Sequence, residues 1–314
     1  MKNNINILIS GSIVYDRIMD FPGYFKDNIM PDKLHILNLS FVINDVKESF
    51  GGTAGNIAFN LSMLNEKPKI FTTVGKDFTP YQNWLLKNKI DTSGLKMIKD
   101  KLTASVYIIT DKSDNQISAF NPGAMAIARG RFSLESKKDN LAIISPGNTA
   151  DMVGYAGLYR KKKTKYIFDP GQQTTSLTSE ELKSCIIGAE ILIGNDYEIE
   201  LIRRKVKWTV SQLIDKVKIL IITKGEKGSE VYAEGKKSLI KAIKIKKALD
   251  PTGAGDAYRA GLIKGLVSGW KIEKSAKLAS TVAGYAVESF GTQGHRFSWT
   301  ELGKRFEENY GESH

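Results

Sequence analysis

Short apolar runs, each followed by a glycine or a polar turn, recur along the chain and predict buried β-strands. They cover residues 5–10, 69–74, 143–147, 166–169, 191–194 and 219–223. Apolar residues at helical spacing follow the glycines at 51–55 and at 253–255, and they cover 273–288 as well. Such an alternation of strands and helices predicts an α/β fold with a mainly parallel sheet. Ile243 and Ile245 alternate with lysines and predict one more strand before Gly253.

Two further segments show a looser alternation of apolar and polar residues. One runs from Leu34 to Val46, and the other covers residues 104–120 around a turn at 111–115. Because no helix separates these strands, we expect a small sheet apart from the α/β body. We interpret it as a lid, formed by segments at about 13–48 and 103–122 of a single domain that spans residues 1–314.

The composition adds a large core and a basic surface to this picture. The 314 residues are 41% hydrophobic and 25% charged, and the formal net charge is +12. The basic clusters at 160–165, 203–207 and 236–247 lack the interleaved aromatic residues of a platform for single-stranded nucleic acid. We therefore expect a solvated basic surface and no nucleic-acid partner.

Cysteine usage and the apolar runs indicate where the protein resides. Cys185 is the only cysteine, so the chain can form no disulfide within itself and no four-cysteine zinc site. The apolar run at 5–9 is too short for a signal sequence, and no run approaches the length needed to span a bilayer. These features predict a cytoplasmic protein without a membrane partner.

The segment from Asp250 to Gly261, DPTGAGDAYRAG, joins the last predicted strand to a helix. Glycines at 253 and 255 let the backbone approach an anion, and the N–H groups and dipole of a helix start favour phosphate there. A phosphate site alone has no need of Asp256, whose charge repels the anion. The carboxylate is useful if it takes a proton from a hydroxyl group that attacks phosphorus. The alternative is that Asp256 only caps the helix.

Polar residues follow two other predicted strands, at the sheet edge where open α/β proteins bind ligands. Asp16 follows the first strand, and its carboxylate can accept hydrogen bonds from both hydroxyls of a vicinal diol. The amide of Asn56 donates and accepts, so it can complement Asp16 at such a diol. Gln172 and Gln173 follow a later strand, where their amides suit a purine edge or a ribose hydroxyl. The alternatives are an Asx turn at Asp16 and solvent-facing loop glutamines.

The segment that ends at Asp256 resembles the second signature of the PfkB, or ribokinase-like, family of sugar and nucleoside kinases, in which this aspartate is the catalytic base. Pro251 departs from the threonine that is usual there. The stretch at 51–56, GGTAGN, resembles the first signature, and Asn56 matches its sugar-binding asparagine. The resemblance covers nearly the whole chain and implies a three-layer α/β/α core with a mainly parallel sheet and a small β-sheet lid.

The same resemblance implies ATP as phosphoryl donor, Mg²⁺ as its partner, and K⁺ as an optional second cation. Glu198 matches the acidic residue of the family's N-x-x-E element and would hold Mg²⁺ through water. The residues implied for the nucleotide are Asn195, Thr223, Gly225 and Gly228, and the N–H groups implied for the phosphoryl oxygens are those of Gly253, Ala254 and Gly255. The turn at 291–294 would border the adenine. Three cations are candidates for a phosphate clamp: Arg129, Lys224 and Arg259.

Within the family, stretches such as 121–125 and 195–198 are similar to the bacterial adenosine kinases. This implies transfer of the γ-phosphoryl group of ATP to the ribose 5′-hydroxyl of adenosine. The residues implied around the nucleoside are Ser12, Asp16, Ser40, Gly52, Asn56, Phe120, Gln172 and Gln173. Val106 stands where an aromatic lid residue is expected, which would broaden substrate choice.

Several alternatives stay open from the sequence. The chain could be a broad-specificity nucleoside kinase or a ribokinase-type sugar kinase, because a diol site serves both. It could also be a nucleoside-binding regulator without turnover, although Asp256 and both glycines of the anion site are intact. The family further implies that two lids pair in a homodimer.

Overall fold

The computed structural model describes residues 5–134 and 139–313. Its strands are β1 (Asn6–Ser10), β2 (Val14–Asp20), β3 (Val46–Gly51), β4 (Lys69–Phe71), β5 (Thr73–Gly75), β6 (Lys96–Ile98), β7 (Ala104–Thr110), β8 (Gln116–Asn121), β9 (Asn140–Ile144), β10 (Lys165–Phe168), β11 (Ile191–Asn195), β12 (Ile219–Thr223), β13 (Ser229–Ala233) and β14 (Lys236–Ile240). Its α-helices are α1 (Thr53–Met63), α2 (Thr79–Lys87), α3 (Thr149–Lys162), α4 (Ser179–Ile186), α5 (Asp196–Val206), α6 (Val210–Lys216), α7 (Ala254–Val267), α8 (Ile272–Val287) and α9 (Trp299–Tyr310). Across the described ranges, none of these helices combines the length and apolar character needed to cross a membrane.

The main sheet has eight strands in the order β14-β13-β12-β11-β10-β9-β1-β4. The strands from β4 to β12 in this order run parallel, and β13 and β14 add an antiparallel edge. Neighbouring residues of one strand face opposite sides: Ile143 belongs to the apolar cluster that includes α1, α2, α7, α8 and α9, whereas Ile144 belongs to the cluster that includes α3 to α6. Both faces are covered by helices, which explains the continuously apolar strands. The predicted three-layer α/β/α core with a mainly parallel sheet is confirmed.

A separate sheet of four strands, in the order β3-β2-β7-β8, confirms the predicted small sheet. The chain passes from β1 through β2 and β3 and then into α1, so this excursion begins and ends beside the main sheet. The strand predicted from Leu34 onward is wrong. Pro31 begins a 3₁₀ turn at Pro31–Ile36, an irregular segment follows, and strand pairing with β2 starts only at Val46.

The strand predicted at Ile243 and Ile245 is also wrong. Strand β14 ends at Ile240, and the following backbone finds side-chain partners instead of a neighbouring strand. The Lys244 N–H donates to Asn309 Oδ1 at 2.9 Å, and the Lys246 N–H donates to Glu288 Oε1 at 2.6 Å. The ends of α8 and α9 therefore satisfy the hydrogen bonds that a strand would have made.

Candidate active site

A cavity of about 1020 Å³ lies between the carboxyl ends of the main-sheet strands and the small sheet. The segments that follow β1, β9, β10, β11 and β12 line the cavity from the main sheet, and so does the start of α7. Val14, Asp16, Val106 and Phe120 line it from the small sheet. The volume lies at the upper end of the range for small-molecule sites, and the position is the usual one in open α/β folds.

Most of the sequence-predicted site residues line this cavity. They are Ser12, Asp16, Gly52, Asn56, Phe120, Gln172, Asn195, Glu198, Thr223, Gly225, Gly228, Gly253, Ala254, Gly255 and Asp256. Ser40 and Gln173 do not. Ser40 is exposed in the irregular segment before β3. Gln173 lies in a 3₁₀ turn at Gly171–Thr175, where successive side chains point about 120° apart, so it cannot share the direction of Gln172.

Helix α7 is preceded by a glycine in the left-handed conformation beside the cavity. Gly253 has φ of +80°, and a Cβ there would lie 3.0 Å from Cβ of Thr292. The Ala254 N–H donates to Pro251 O at 3.2 Å, so one of the three predicted anion-binding N–H groups is engaged within the turn. The first intrahelical bond runs from the Ala257 N–H to Gly253 O at 2.9 Å, which leaves the intervening N–H groups without helical acceptors.

Asp256, in the first turn of α7, has a carboxyl group whose pKa is raised to about 7. Burial disfavours its charge and dominates, while a hydrogen bond from Asn56 and the charge of Arg259 act in the opposite direction. The Asn56 Nδ2 donates to Asp256 Oδ2 at 2.8 Å. Asn56 was predicted to complement Asp16 at a diol, and the structure instead gives one of its N–H groups to Asp256. A carboxyl group with this pKa can exchange a proton near neutral pH.

Arg259 forms a buried ion pair one helical turn after Asp256. Its Nε donates to Asp169 Oδ2 at 2.8 Å and its Nη2 donates to Asp169 Oδ1 at 3.0 Å, while Nη1 donates to Gly255 O at 3.2 Å. Both side chains are less than one-tenth exposed, and the pair raises the pKa of Arg259 further. Arg259 thus braces the start of α7, and its charge is already paired.

The other two candidates for a phosphate clamp are also engaged. The Arg129 Nε donates to Gly94 O at 2.6 Å, and its guanidinium lies 5.2 Å from the ring centroid of Phe71 and 5.2 Å from that of Phe132. Arg129 is not among the cavity-lining residues. The Lys224 Nζ donates to Glu230 Oε1 at 2.6 Å. Each cation is therefore held by protein groups.

Asn195 and Glu198 form a reciprocal cap at the start of α5. The Glu198 N–H donates to Asn195 Oδ1 at 2.8 Å, and the Asn195 N–H donates to Glu198 Oε2 at 2.8 Å. Burial and the nearby charge of Asp169 raise the pKa of Glu198. Within residues 5–134 and 139–313, no group of three or more His, Cys, Asp or Glu residues could hold a metal ion directly.

One end of the cavity, near Ile243, is apolar. A glycine turn borders it, in which Gly228 has φ of +86° and a Cβ would lie 2.0 Å from Ile240 O. The apolar lining residues there are Ala242, Ile243, Ile245, Ala248, Ala283 and Val287. A Cβ at Gly284 would lie 2.3 Å from Cδ1 of Ile243, so the glycine lets Ile243 pack against α8. Ile243 and the neighbouring apolar side chains thus give this end of the cavity an apolar wall.

Asp16 marks the polar end, on β2 of the small sheet. A Cβ at Gly51 would lie 2.2 Å from Asp16 Oδ2, so the glycine makes room for the carboxylate. Burial, followed by the charge of Asp250, raises the pKa of Asp16 to about 6. Val106 and Phe120 are register partners on β7 and β8, and Phe120 is half exposed toward the cavity.

Sequence reasoning missed the roles of Asp169 and Gln293. From the sequence, no role is predicted for Asp169, and the turn at 291–294 is predicted to border the adenine. Thr292 of this turn lines the cavity, whereas Gln293 is buried and its Nε2 donates to Asn56 Oδ1 at 3.1 Å. No local pattern around residue 293 indicates that it packs on α1, because the contact joins residues 237 positions apart.

Comparisons with known proteins agree with this architecture. The family model described as pfkB family carbohydrate kinase matches residues 14–298. A nucleoside kinase from Methanocaldococcus jannaschii is 32% identical over 276 residues, 87% of this chain and 90% of the relative. The structure of Burkholderia thailandensis nucleoside kinase in complex with inosine has a TM-score of 0.83 at 32% identity, over 98% of this chain and 99% of the other. The same enzyme in complex with ADP-inosine gives 0.82 at 33%, over 98% and 97%. The chain therefore belongs to the pfkB family of carbohydrate kinases and has a ribokinase-like fold.

Proposed function

We propose that this protein is an ATP-dependent nucleoside kinase that transfers the γ-phosphoryl group to a ribose 5′-hydroxyl. The observation that carries the proposal is the Asp256 carboxyl group, with a pKa near 7, at the start of a helix in a cavity with one polar and one apolar end. The helix start suits phosphate oxygens, and Asp256 suits the proton of the attacking hydroxyl.

The two ends of the cavity then take the two substrates. Asp16 would accept hydrogen bonds from the ribose diol, with Phe120 and Gln172 beside the base. The apolar end of the cavity near Ile243 would take the adenine of ATP. We further propose that the small sheet is a lid whose closure excludes water, a competing phosphoryl acceptor.

We place the substrate class at nucleosides in general rather than at adenosine alone. The similar proteins named above are nucleoside kinases, and one was seen with inosine. Val106, a small residue at the base-side wall, also favours a tolerant base pocket over a narrow one. Adenosine is then one acceptor among several, and sugars such as ribose are poor acceptors.

Mg²⁺ belongs to the proposal as the counterion of the ATP phosphates, with Glu198 holding it through water. The residues fit this group, because Glu198 contributes a hard carboxylate oxygen at the cavity wall. When bound, Mg²⁺ neutralises phosphate charge. We include K⁺ as an accessory cation, and we place the reaction in the cytoplasm, in keeping with a single buried thiol.

The test is ATP consumption with adenosine, inosine, guanosine, cytidine, ribose and fructose, with Mg²⁺ or K⁺ omitted in parallel. We expect several nucleosides to react at least about tenfold more efficiently than either sugar, and Asp16→Asn to raise the nucleoside KM by about tenfold to a hundredfold through lost charged hydrogen bonds. The KM for ATP should change by less than about twofold. Turnover of sugars alone would overturn the nucleoside assignment.

We also propose that two lids pair in a homodimer. Large apolar side chains are exposed around the irregular segment of the lid excursion: Met30, Leu34, Ile36, Leu37, Val42 and Val46. Sedimentation velocity should give twice the 34.8 kDa chain mass, and Val42→Lys should shift the protein toward a monomer. A monomer at micromolar concentration in the unmodified protein contradicts this proposal.

A further inference from the structure

A chain of hydrogen bonds runs from the outer helix α2 to Asp256. The Trp84 Nε1 donates to Gln293 Oε1 at 2.7 Å, and the Gln293 Nε2 donates to Asn56 Oδ1 at 3.1 Å. The Asn56 Nδ2 in turn donates to Asp256 Oδ2 at 2.8 Å. Gln293 Nε2 also donates to the Tyr81 hydroxyl at 2.7 Å. Trp84, Tyr81 and Gln293 are not among the cavity-lining residues, and the hydrogen bonds connect Trp84 and Gln293 to Asp256 through Asn56.

The chemistry of the groups fixes the direction of this chain. An indole N–H can only donate, so the oxygen of the Gln293 amide must face Trp84. Its NH₂ group then faces Asn56, which must present its own oxygen. The Tyr81 hydroxyl donates to Gly51 O at 2.8 Å and is thereby free to accept from Gln293, which secures the same orientation. The NH₂ group of Asn56 is left pointing at Asp256.

We propose that Trp84 and Gln293 are positioning residues for phosphoryl transfer, because they hold the Asn56 amide with its NH₂ group toward the Asp256 carboxylate. A reversed Asn56 amide would place its oxygen against the carboxylate and disfavour the ionised form. The inference rests on the proposed function only in taking Asp256 as the base. The hydrogen-bond order itself is independent of the substrate.

Other charged and titratable groups also act on Asp256, from every element around it. Arg259 of α7 stabilises its charge, whereas Asp169 after β10 and Glu198 of α5 disfavour it. The Tyr81 hydroxyl of α2 also interacts with Asp256. Trp84→Phe touches none of these groups, whereas Gln293→Met also removes the hydrogen bond that the Tyr81 hydroxyl accepts, so Trp84→Phe is the cleaner of the two changes. A change in the titration of Asp256 would then report on the orientation of Asn56.

Two variants break the chain at different links. Trp84→Phe removes the indole N–H and keeps an aromatic ring near Phe59 and Phe50, whose centroids lie 6.1 and 5.9 Å away. Gln293→Met removes both amide groups without adding charge. Trp270→Phe is the matched control, because Trp270 packs against Phe306 at 6.3 Å in a different part of the core.

The readouts are the pH dependence of kcat/KM and a ¹³C NMR titration of the Asp256 carboxyl group, identified by its absence in Asp256→Asn. We expect Trp84→Phe and Gln293→Met each to raise the Asp256 midpoint, and the acid limb of the rate, by about one pH unit, since one unit corresponds to 1.36 kcal/mol, near the value of a charged hydrogen bond. At pH 6.5 the rate should fall about tenfold, and above pH 9 it should recover. Trp270→Phe should leave both midpoints in place.

The double variant Trp84→Phe/Gln293→Met should show no larger shift than Gln293→Met alone, because both changes act through one amide. A lowered Tm with unchanged midpoints would overturn the inference and leave only a packing role. If the unmodified protein phosphorylates no nucleoside, the proposed function fails, and the NMR titration still decides whether Trp84 and Gln293 orient Asn56.

Discussion

Replacement of Asp256 by asparagine is expected to lower kcat by about a hundredfold to ten-thousandfold, the usual contribution of a positioned general base. Asparagine has nearly the same size as aspartate, and its neutral amide accepts a weaker hydrogen bond from Asn56. An amide cannot take the proton of the 5′-hydroxyl group. The KM for ATP should change by less than about threefold, because the helix start that is proposed to hold the phosphates is intact. Steady-state kinetics with a coupled ADP assay measures both quantities.

The pH profile gives a second check on the same group. Since the proposed base would act when it is deprotonated, kcat/KM should rise with pH through about 7, the pKa of Asp256, and then level off. Asp215→Asn, an exposed aspartate on α6, is the control for loss of one negative charge. A full rate in Asp256→Asn, or a profile that is flat from pH 5 to 9, would remove Asp256 from the mechanism.

The buried pair of Arg259 and Asp169 is expected to give the largest effect on stability. Arg259→Met should lower the free energy of unfolding by about 3–5 kcal/mol, because it leaves the Asp169 carboxylate buried without its partner. The two side chains are joined by two hydrogen bonds of 2.8 and 3.0 Å, so both oxygens of the Asp169 carboxylate depend on Arg259. Urea unfolding followed by circular dichroism measures the change.

Two controls separate burial from simple loss of charge. Lys218→Met breaks an ion pair with Glu190 in which the lysine is 72% exposed, and it should cost less than about 1 kcal/mol. The double variant Asp169→Leu/Arg259→Met should regain most of the loss, because no unpaired charge is left inside. A double variant as unstable as Arg259→Met would mean that the shape of the salt bridge, rather than its charge, supports the start of α7.

The sequence predicted the core well because its signals are local. The continuous apolar runs of β1, β9, β10, β11 and β12 can be buried on both faces only in a covered parallel sheet, and the glycines before α1 and α7 mark helix starts. The same local logic failed at Ile243 and Leu34. After Ile243, the side chains of Asn309 and Glu288 accept the backbone hydrogen bonds that a neighbouring strand would have accepted. At Leu34, a 3₁₀ turn that begins at Pro31 takes the place of the strand.

The candidate site shows the same limit. Many of the residues that border the cavity follow strands of the main sheet or begin helices, so their positions could be predicted from their place in the chain. The partners of those residues could not. Asn56 meets Asp256 across 200 positions and Arg259 meets Asp169 across 90, and nothing in the sequence around either end indicates the other.

The excursion of the chain through β2 and β3 leaves and re-enters the main body at one place. Ser12 and Thr53, which flank the excursion, are joined there: the Ser12 N–H donates to Thr53 Oγ1 at 3.2 Å, and the Thr53 N–H donates to Ser12 Oγ at 3.0 Å. Asp16, which would bind the ribose, thus lies on a segment of the chain that is separate from the helix that carries Asp256. Under the proposed function, substitutions around Asp16 would change which acceptor is chosen while Asp256 keeps its place on α7, so selectivity and chemistry would evolve on separate segments of one chain.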